Sequence, residues 1–297
     1  MKMKLTVLLR KLRFELLFPM IALLPRSIAY AFASALGYLD WKFLNKIERS
    51  EIEVQLAKIP VFNVANVSLT SMRYAQLMAR DTLDCYRMQK LNLHTESQFF
   101  EVTGAEHLVA AERKGKGVLL LVPHYGRYFM LGPALRFLGH GFGVFTTAIN
   151  ESTVPDAIWR AYLLSKLKNG FMYCGGEWIT SNDSPLRIYS TLKNGNSLLL
   201  AFDGVESLSE KKLSYPFLGG VVQLASGSLR IANRTKAALI YVSVKEKNDK
   251  LSFELKLLPE DPEMALQAAV ENLERDIVEM PWHWWLWRAL PRVWSEK

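Results

Sequence analysis

The sequence predicts an α/β protein with a central, mostly parallel sheet flanked by helices. Three observations favour this fold: half of the 297 residues are hydrophobic, short apolar runs follow Gly104, and helical stretches alternate with those runs. Continuous apolar runs are typical of strands that are covered on both faces. Alternation with helices is typical of parallel sheets, because parallel strands need long crossover connections. The composition provides a large core and excludes long-range disorder.

The amino-terminal segment, residues 1–39, combines basic residues with an apolar stretch. The basic residues come first and are Lys2, Lys4, Arg10, Lys11 and Arg13. Pro19, Pro25 and Arg26 interrupt the apolar stretch, so its longest uncharged run is shorter than the roughly 20 residues that cross a bilayer. We expect a helical extension that associates with a membrane surface, as cationic amphipathic anchors do. A buried core hairpin and an uncleaved signal-like segment are the alternatives.

Residues 40–297 are predicted to form one domain that begins with a helical cover. Between residues 40 and 96 apolar residues recur at helical spacing and glycine is absent, which predicts helices. The predicted strands that follow are residues 118–122, 142–148, 197–202, 238–244 and 251–258. The predicted helices between them are residues 128–138, 157–167 and 225–233.

Two polar residues directly follow predicted strands, and the edge of the sheet where they lie is the candidate site. His124 comes after the run VLLLV, and Asp203 follows the run SLLLAF. Ligands of open α/β sheets bind outside the carboxyl ends of the strands, so we expect both side chains at one edge. A helix beginning near His124 would favour neutral imidazole, the form that a general base needs. Gly126 would give room for substrate, although a lone histidine at a strand end is equally typical of a structural residue.

The net charge and the cysteine content limit the partners and the metal sites that the chain can have. Thirty-seven Lys and Arg against 29 Asp and Glu leave a net charge of +8, which favours acidic proteins, anionic lipid headgroups or nucleic acid as partners. Charge alone does not choose among them, and no motif supports nucleic acid. Cys85 and Cys174 are too few for a disulfide framework or a paired-cysteine zinc site, and no two histidines have the i, i+4 spacing of metal ligands. We expect no metal, no cofactor and no nucleic-acid partner.

Several blocks of the sequence resemble bacterial lipid A late acyltransferases, members of the lysophospholipid acyltransferase superfamily. KGKGVLLLVPHYGRYFMLG, residues 114–132, is similar to the family's apolar strand followed by His, an aromatic residue and Gly. Residues 202–244 resemble its second block. MPWHWWLWRAL resembles its closing stretch, with Trp285 and Arg288 at matching places. The resemblance extends in order over about residues 30–290.

The resemblance implies transfer of a fatty acyl chain from an acyl carrier protein thioester to a hydroxyl of a membrane glycolipid, on the cytoplasmic face of the bacterial inner membrane. In the family, the His of a His-x-x-x-x-Asp/Glu motif removes the acceptor's proton, and the acid orients the imidazole. His124 corresponds to this base, but Phe129 stands where the acid belongs. The family's Asn has also become Arg127, and its usual Pro before Asp203 is Phe202.

Three interpretations of Phe129 remain open. In the first, another carboxylate orients His124, with Asp203 the first candidate and Glu177 and Glu206 weaker ones. In the second, the histidine works without a carboxylate, at a cost on the order of four decades in rate. In the third, the chain is inactive and serves as a lipid-binding or scaffold subunit.

Three basic residues are candidates for contacts with a phosphate of the acceptor or of the donor's phosphopantetheine arm. Arg127 lies three positions after His124, on a stretch expected to face the cleft. Arg160 and Lys166 could correspond to basic residues that the family carries after its second strand. Arginine suits this role because its fork of donors matches phosphate oxygens. The structural alternative is a charge on an exposed helix face.

Overall fold

The computed structural model describes residues 8–204, 211–247 and 250–296. The basic residues Lys2 and Lys4 and the candidate carboxylate Glu206 lie outside the described residues. The described strands are β1 (Phe100–Thr103), β2 (Val118–Val122), β3 (Phe142–Thr146), β4 (Gly175–Thr180), β5 (Ser197–Ala201), β6 (Lys212–Phe217), β7 (Gly220–Ala225), β8 (Ala238–Lys247), β9 (Lys250–Leu257) and β10 (Trp294–Glu296).

Seven of these strands form the central sheet, in the order β1-β9-β8-β2-β5-β3-β4. Neighbouring strands are parallel except for β8 and β9, which form an antiparallel pair. The predicted mostly parallel α/β sheet is therefore confirmed. A separate antiparallel sheet contains β10, β7 and β6 in that order.

Helices cover both faces of the central sheet, and further helices precede its first strand in the chain. They are α1 (residues 8–21), α2 (Arg26–Leu39), α3 (Lys46–Lys58), α4 (Val67–Arg87), α5 (Leu93–Glu96), α6 (Ala105–Arg113), α7 (Leu131–Phe137), α8 (Ala157–Phe171), α9 (Leu186–Lys193), α10 (Gly227–Thr235) and α11 (Pro262–Glu279). The helix α1 contains a π-helical turn, Arg13–Leu17. Short 3₁₀ turns precede α7 and form much of the carboxyl-terminal segment.

The two faces of the sheet form two separate hydrophobic cores. All five residues of β2 are buried, because helices lie on both sides of the strand. Alternate residues of a strand point to opposite faces, so Leu119 and Leu121 join one core while Leu120 and Val122 join the other. Residues of α9, α10 and α11 complete the first core, and residues of α6 and α7 complete the second.

The amino-terminal helices pack against α4 and α8. Gly37 of α2 lies so close to α4 that an added Cβ would be 2.5 Å from the carbonyl oxygen of Ala75. The ring of Phe14 in α1 stacks on Tyr162 of α8 with 4.5 Å between centroids. Within the three described ranges, we find no helix whose length and apolar character would let it span a bilayer.

Candidate active site

The register of β2 and β5 places two polar side chains next to each other. Val122 at the end of β2 pairs with Ala201 at the end of β5, and His124 and Asp203 each follow two residues later. Asp203 Oδ1 lies 2.7 Å from His124 Nδ1. The same carboxylate accepts the backbone N–H of His124, at 3.0 Å from each oxygen. The structure thus brings together the histidine and the carboxylate that the sequence placed at one edge of the sheet.

The Asp203 carboxylate is held in a buried position that determines the tautomer of His124. Asp203 is only 3% exposed, and Trp284 Nε1 donates to its Oδ2 at 3.0 Å. Because a carboxylate only accepts hydrogen bonds, Nδ1 of His124 carries the proton, which leaves the lone pair on Nε2. No group in the described part of the chain bonds to Nε2, and the imidazole lines a cavity. The pair has the geometry of a general base with its orienting acid.

The Trp-rich carboxyl-terminal segment fixes the loop that carries His124. The backbone N–H of Trp285 donates to the carbonyl oxygen of His124 at 2.9 Å, and Trp285 Nε1 donates to that of Gly126 at 2.9 Å. The N–H of Gly126 in turn donates to the carbonyl oxygen of His283 at 2.8 Å. Sequence reasoning missed this role. The resemblance at MPWHWWLWRAL was the available signal, since it marked the position of Trp285 without a function.

Gly126 allows a close backbone contact and does not make room for substrate, which corrects the sequence expectation. Its φ of +62° lies in the left-handed region, and an added Cβ would be 1.9 Å from the carbonyl oxygen of Val244 on β8. The glycine is therefore required where the His124 loop crosses β8.

Arg127 is part of a buried ionic network, and this corrects its predicted contact with a phosphate. The side chain is 2% exposed, and it donates to Asp84 through Nε at 2.7 Å and Nη2 at 2.5 Å. Its Nη1 donates to Glu246 at 2.9 Å, and its guanidinium lies 4.4 Å from the ring centroid of Tyr30. Burial opposes the charge, but Asp84 and Glu246 help to hold the pKa of Arg127 above its usual value. The sequence could not reveal these distant carboxylates, which turn the guanidinium away from the cavity.

Arg160 is not among the residues that line the cavity, although the sequence placed it among the phosphate contacts. Its Nη1 donates to the carbonyl oxygens of Val154 and Pro155, at 2.7 and 3.3 Å. The structure therefore gives Arg160 the role of fixing the turn before α8.

Lys166 of α8 does line the cavity, but its charge is paired. The side chain is 4% exposed and its ammonium group contacts the Asp81 carboxylate. Its Nζ lies 4.4 Å from the ring centroid of Phe129 and 4.7 Å from that of Trp285. Burial raises the pKa of Asp81 to about 6 despite the neighbouring ammonium group. Lys166 is thus the predicted basic residue that reaches the site.

The cavity beside His124 has a volume of about 590 Å³ and a mainly apolar lining. Its apolar lining includes Leu131, Phe142, Val144, Leu167, Leu199, Phe202 and Trp285. The volume falls in the range of about 300–1,000 Å³ that is usual for small-molecule sites. Phe129 forms part of this wall, so the residue that replaces the motif acid extends the apolar surface. Burial raises the pKa of the Cys174 thiol, which also lines the cavity, to about 12 and leaves it a poor nucleophile.

An oriented imidazole beside an apolar cavity is the arrangement that transfer of an aliphatic acyl group requires. Residues 15–290 match the model of the bacterial lipid A biosynthesis acyltransferase family, and the chain belongs to this family. A curated relative is a phosphatidylinositol mannoside acyltransferase of Mycolicibacterium smegmatis, 23% identical over 215 residues, which make up 69% of this chain and 67% of the relative. The chain is an acyltransferase that acts on lipids.

Proposed function

We propose that this protein transfers a fatty acyl chain from an acyl carrier protein thioester to a hydroxyl of a glycolipid, with His124 as the general base. The observation that carries the proposal is the 2.7 Å contact between His124 Nδ1 and Asp203 Oδ1. Through this contact Asp203, which follows β5, takes over the orienting role that the motif acid has in the family. It supports the first of the three interpretations of Phe129.

In the proposed reaction, Nε2 of His124 takes the proton of the acceptor hydroxyl while that oxygen attacks the thioester carbonyl carbon. A C–O bond forms, the tetrahedral intermediate collapses, and the C–S bond breaks. The imidazolium then returns the proton to the departing thiolate, so the products are an ester and a free thiol. Asp203 stabilises the imidazolium between the two proton transfers.

The net charge of the chain supports the proposed donor, and its similarity to a curated acyltransferase supports the proposed acceptor. A net charge of +8 suits an acidic carrier protein as donor. The name of the mycobacterial relative, a phosphatidylinositol mannoside acyltransferase, supports a glycolipid acceptor. Of the three basic residues named from the sequence, Lys166 lines the cavity, but its ammonium group is paired with Asp81, so we propose that it supports the cavity wall and does not bind an anionic substrate group.

We also propose that the amino-terminal helices attach the protein to a membrane surface, on the cytoplasmic face of the bacterial inner membrane. Leu12, Leu16 and Met20 of α1 are 50%, 51% and 58% exposed and recur every four residues, so they share one face. Phe18 points the other way and is fully buried. An exposed apolar stripe on a helix that carries basic residues is typical of helices that lie in the lipid interface, and Arg10, although paired with Asp156, is 49% exposed.

The alternative function is a non-catalytic lipid-binding or scaffold protein on the same fold. Phe129 is the observation that favours it, since an apolar cavity wall holds a lipid without any chemistry. An acyl-transfer assay separates the two functions, using purified protein, acyl carrier protein thioester and extracted glycolipid. We expect the wild type to form the ester and His124→Ala to lose about two to four orders of magnitude in kcat. Equal turnover by the two proteins would remove His124 as the base, and lipid binding without turnover would favour the alternative.

A further inference from the structure

We propose that the cavity has two apolar limbs on opposite faces of the sheet, one for the acyl chain of the donor and the other for a hydrocarbon chain of the acceptor. This inference rests on the proposed function and adds a substrate feature to it: the acceptor carries an aliphatic chain that the protein encloses.

Consecutive residues of the strands show that the cavity reaches both faces. Leu199 and Leu200 of β5 point to opposite sides of the sheet and belong to different cores, yet both line the cavity. They are 7% and 8% exposed, whereas Leu198 on the same strand is fully buried. Val144 and Phe145 of β3 repeat the pattern, one on each face. A cavity on one face of the sheet would not touch both members of these pairs.

The two limbs lie between different pairs of helices. The α7–α8 limb is bounded by Leu131 and Gly132 of α7, Leu167 and Gly170 of α8, and Cys174. The α9–α10 limb is bounded by Ile188 of α9, Ile231 of α10, and the strand residues Phe145 and Leu200.

The limbs meet at His124. Hydrogen-bonded strands leave no passage through a sheet, so the limbs can join only around the carboxyl ends of β3 and β5. His124, Phe202 and Gly204 line the cavity at this edge. The position of an added Cβ on Gly204 lies 4.0 Å from His124 Cε1, which shows how closely the loop after β5 approaches the imidazole. Two chains that enter from opposite faces would therefore bring their reactive ends to the same ring.

The α7–α8 limb suits the acyl chain of the donor because its polar groups are already paired. The ammonium group of Lys166 contacts Asp81, and Cys174 Sγ lies 3.6 Å from the carbonyl oxygen of Gly170. A saturated acyl chain makes no hydrogen bonds and loses nothing in such surroundings.

The α9–α10 limb suits a chain that ends in a polar headgroup. Ile188 and Ile231 line the cavity and are 6% and 8% exposed, and the exposed Arg230 of α10 also lines it. The competing occupant is the pantetheine arm of the donor, which carries two amides. An amide placed beside the side chains of Ile188 and Ile231 finds no hydrogen-bond partner on them, so its burial there is unfavourable. A hydrocarbon chain needs no such partner, and with its chain in this limb the acceptor presents its headgroup at the edge of the sheet, where a hydroxyl can reach His124.

Photo-crosslinking tests the assignment without requiring turnover. One probe is palmitoyl-S-pantetheine with a diazirine in the acyl chain, and the other is hexadecyl glucoside with a diazirine in the alkyl chain. After irradiation of the full chain, peptide mapping should place the first probe on α7 and α8 and the second on α9 and α10. Labelling of the same limb by both probes would overturn the proposal, and so would labelling with the limbs exchanged.

Variants of each limb, with matched controls, test whether the crosslinked limb also determines the affinity for its substrate. Ile188→Trp fills the α9–α10 limb, and Leu186→Trp adds the same side chain at a position of α9 that is 73% exposed. Because the indole occupies space that the alkyl chain would fill, we expect Ile188→Trp to raise KM for the hexadecyl glucoside about tenfold and to leave KM for the thioester unchanged. Leu186→Trp should change neither. If Ile188→Trp instead shortens the preferred acyl chain of the donor, the α9–α10 limb holds the donor and the proposal is wrong.

The other limb provides the reciprocal test. Leu167→Trp should shift the preference towards shorter acyl donors without changing KM for the glucoside, and the exposed Leu164→Trp should be neutral. Failure of the proposed function would look different, because the wild type would form no ester while the crosslinks would still map to separate limbs.

Discussion

At the scale of single residues, Asp203 is positioned to orient His124 by the pairing of two strands. The last residues of β2 and β5 lie side by side because the two parallel strands are in register. Asp203, two residues after β5, therefore lies next to His124, two residues after β2. The acid therefore need not lie on the same turn as the base. Phe129 is then free to serve as cavity wall, where it packs beside Lys166 and Trp285.

Phe129→Glu tests this division of roles. We expect turnover to fall about tenfold, because Asp203 already orients the imidazole and a carboxylate would interrupt the apolar wall at a cost of about 1–3 kcal/mol. The measurement is kcat/KM with acyl thioester and glycolipid. Phe129→Leu is the control and should retain most of the activity. A rise in turnover on introducing the glutamate would mean that Asp203 does not act as the orienting acid.

The sequence located His124 and Asp203 because both follow continuous apolar strands, whose ends can be read directly. Arg127 was misjudged for a physical reason. Its partners Asp84 and Glu246 are 43 and 119 residues away in the chain, and no local pattern shows such long-range ion pairs. Gly126 was misjudged because its close contact is with Val244 on another strand.

At the scale of elements, buried charges join the amino-terminal helices to the loop after β2. Tyr30 of α2 donates to Asp84 of α4 at 2.6 Å, and Asp84 accepts from Arg127 beside the active site. Glu246 of β8 accepts from Arg127 and also from Arg80 of α4. One network thus links α2, α4, β8 and the loop that carries His124.

Glu246→Gln tests the contribution of this network to stability. Burial opposes ionisation, but Arg127 and Arg80 lower the pKa of Glu246 to about 2, from the ordinary value of 4.5. A lowered pKa means that ionised Glu246 stabilises the fold fully above about pH 4.5, and this contribution is lost as the pH falls towards 2. We expect the variant to lose about 3 kcal/mol in the free energy of unfolding at neutral pH.

Denaturant titrations across this pH range measure the effect. The difference between wild type and Glu246→Gln should shrink steadily below about pH 4.5. Glu254→Gln removes a more exposed glutamate from β9 and should change stability by less than about 0.5 kcal/mol. A gap between wild type and Glu246→Gln that stays constant from neutral to acidic pH would contradict the assigned pKa.

Most of the strands that the sequence predicted carry a continuous apolar run. The strands β2, β5 and β8 were identified for this reason. The strand β4, GGEWIT, was missed because most of its residues are exposed at the edge of the sheet and carry no apolar run. The hairpin of β6 and β7 was missed for two reasons. Pro216 interrupts the alternation of apolar and polar residues in β6, and Gly219 and Gly220 separate this strand from the apolar residues of β7.

At the scale of the whole molecule, the fold leaves an apolar stripe on α1 that packing does not cover. We expect replacement of Leu12, Leu16 and Met20 together by serine to reduce partition onto anionic phospholipid vesicles by at least about tenfold, because each side chain contributes on the order of 1 kcal/mol when buried in lipid. Vesicle sedimentation measures the partition.

A matched control uses three residues of the same types elsewhere that are at least as exposed. Leu186, Leu257 and Met264 are 73%, 52% and 62% exposed, and their joint replacement by serine should leave vesicle binding unchanged. Equal loss of binding in the two triple variants, or no loss in either, would contradict attachment through α1. The sequence suggested this segment from its charge and apolar content, but only the packing of Phe18 shows which face remains exposed.

The most direct test of the account is the turnover of Asp203→Asn. Asparagine keeps the size of the side chain and an oxygen for Trp284, but it removes the charge that stabilises the imidazolium. The account predicts a loss of about two to four orders of magnitude in kcat with a thermal midpoint close to that of the wild type, and no loss for Glu177→Gln, which alters an exposed carboxylate paired with Arg187. Full turnover by Asp203→Asn would contradict the account.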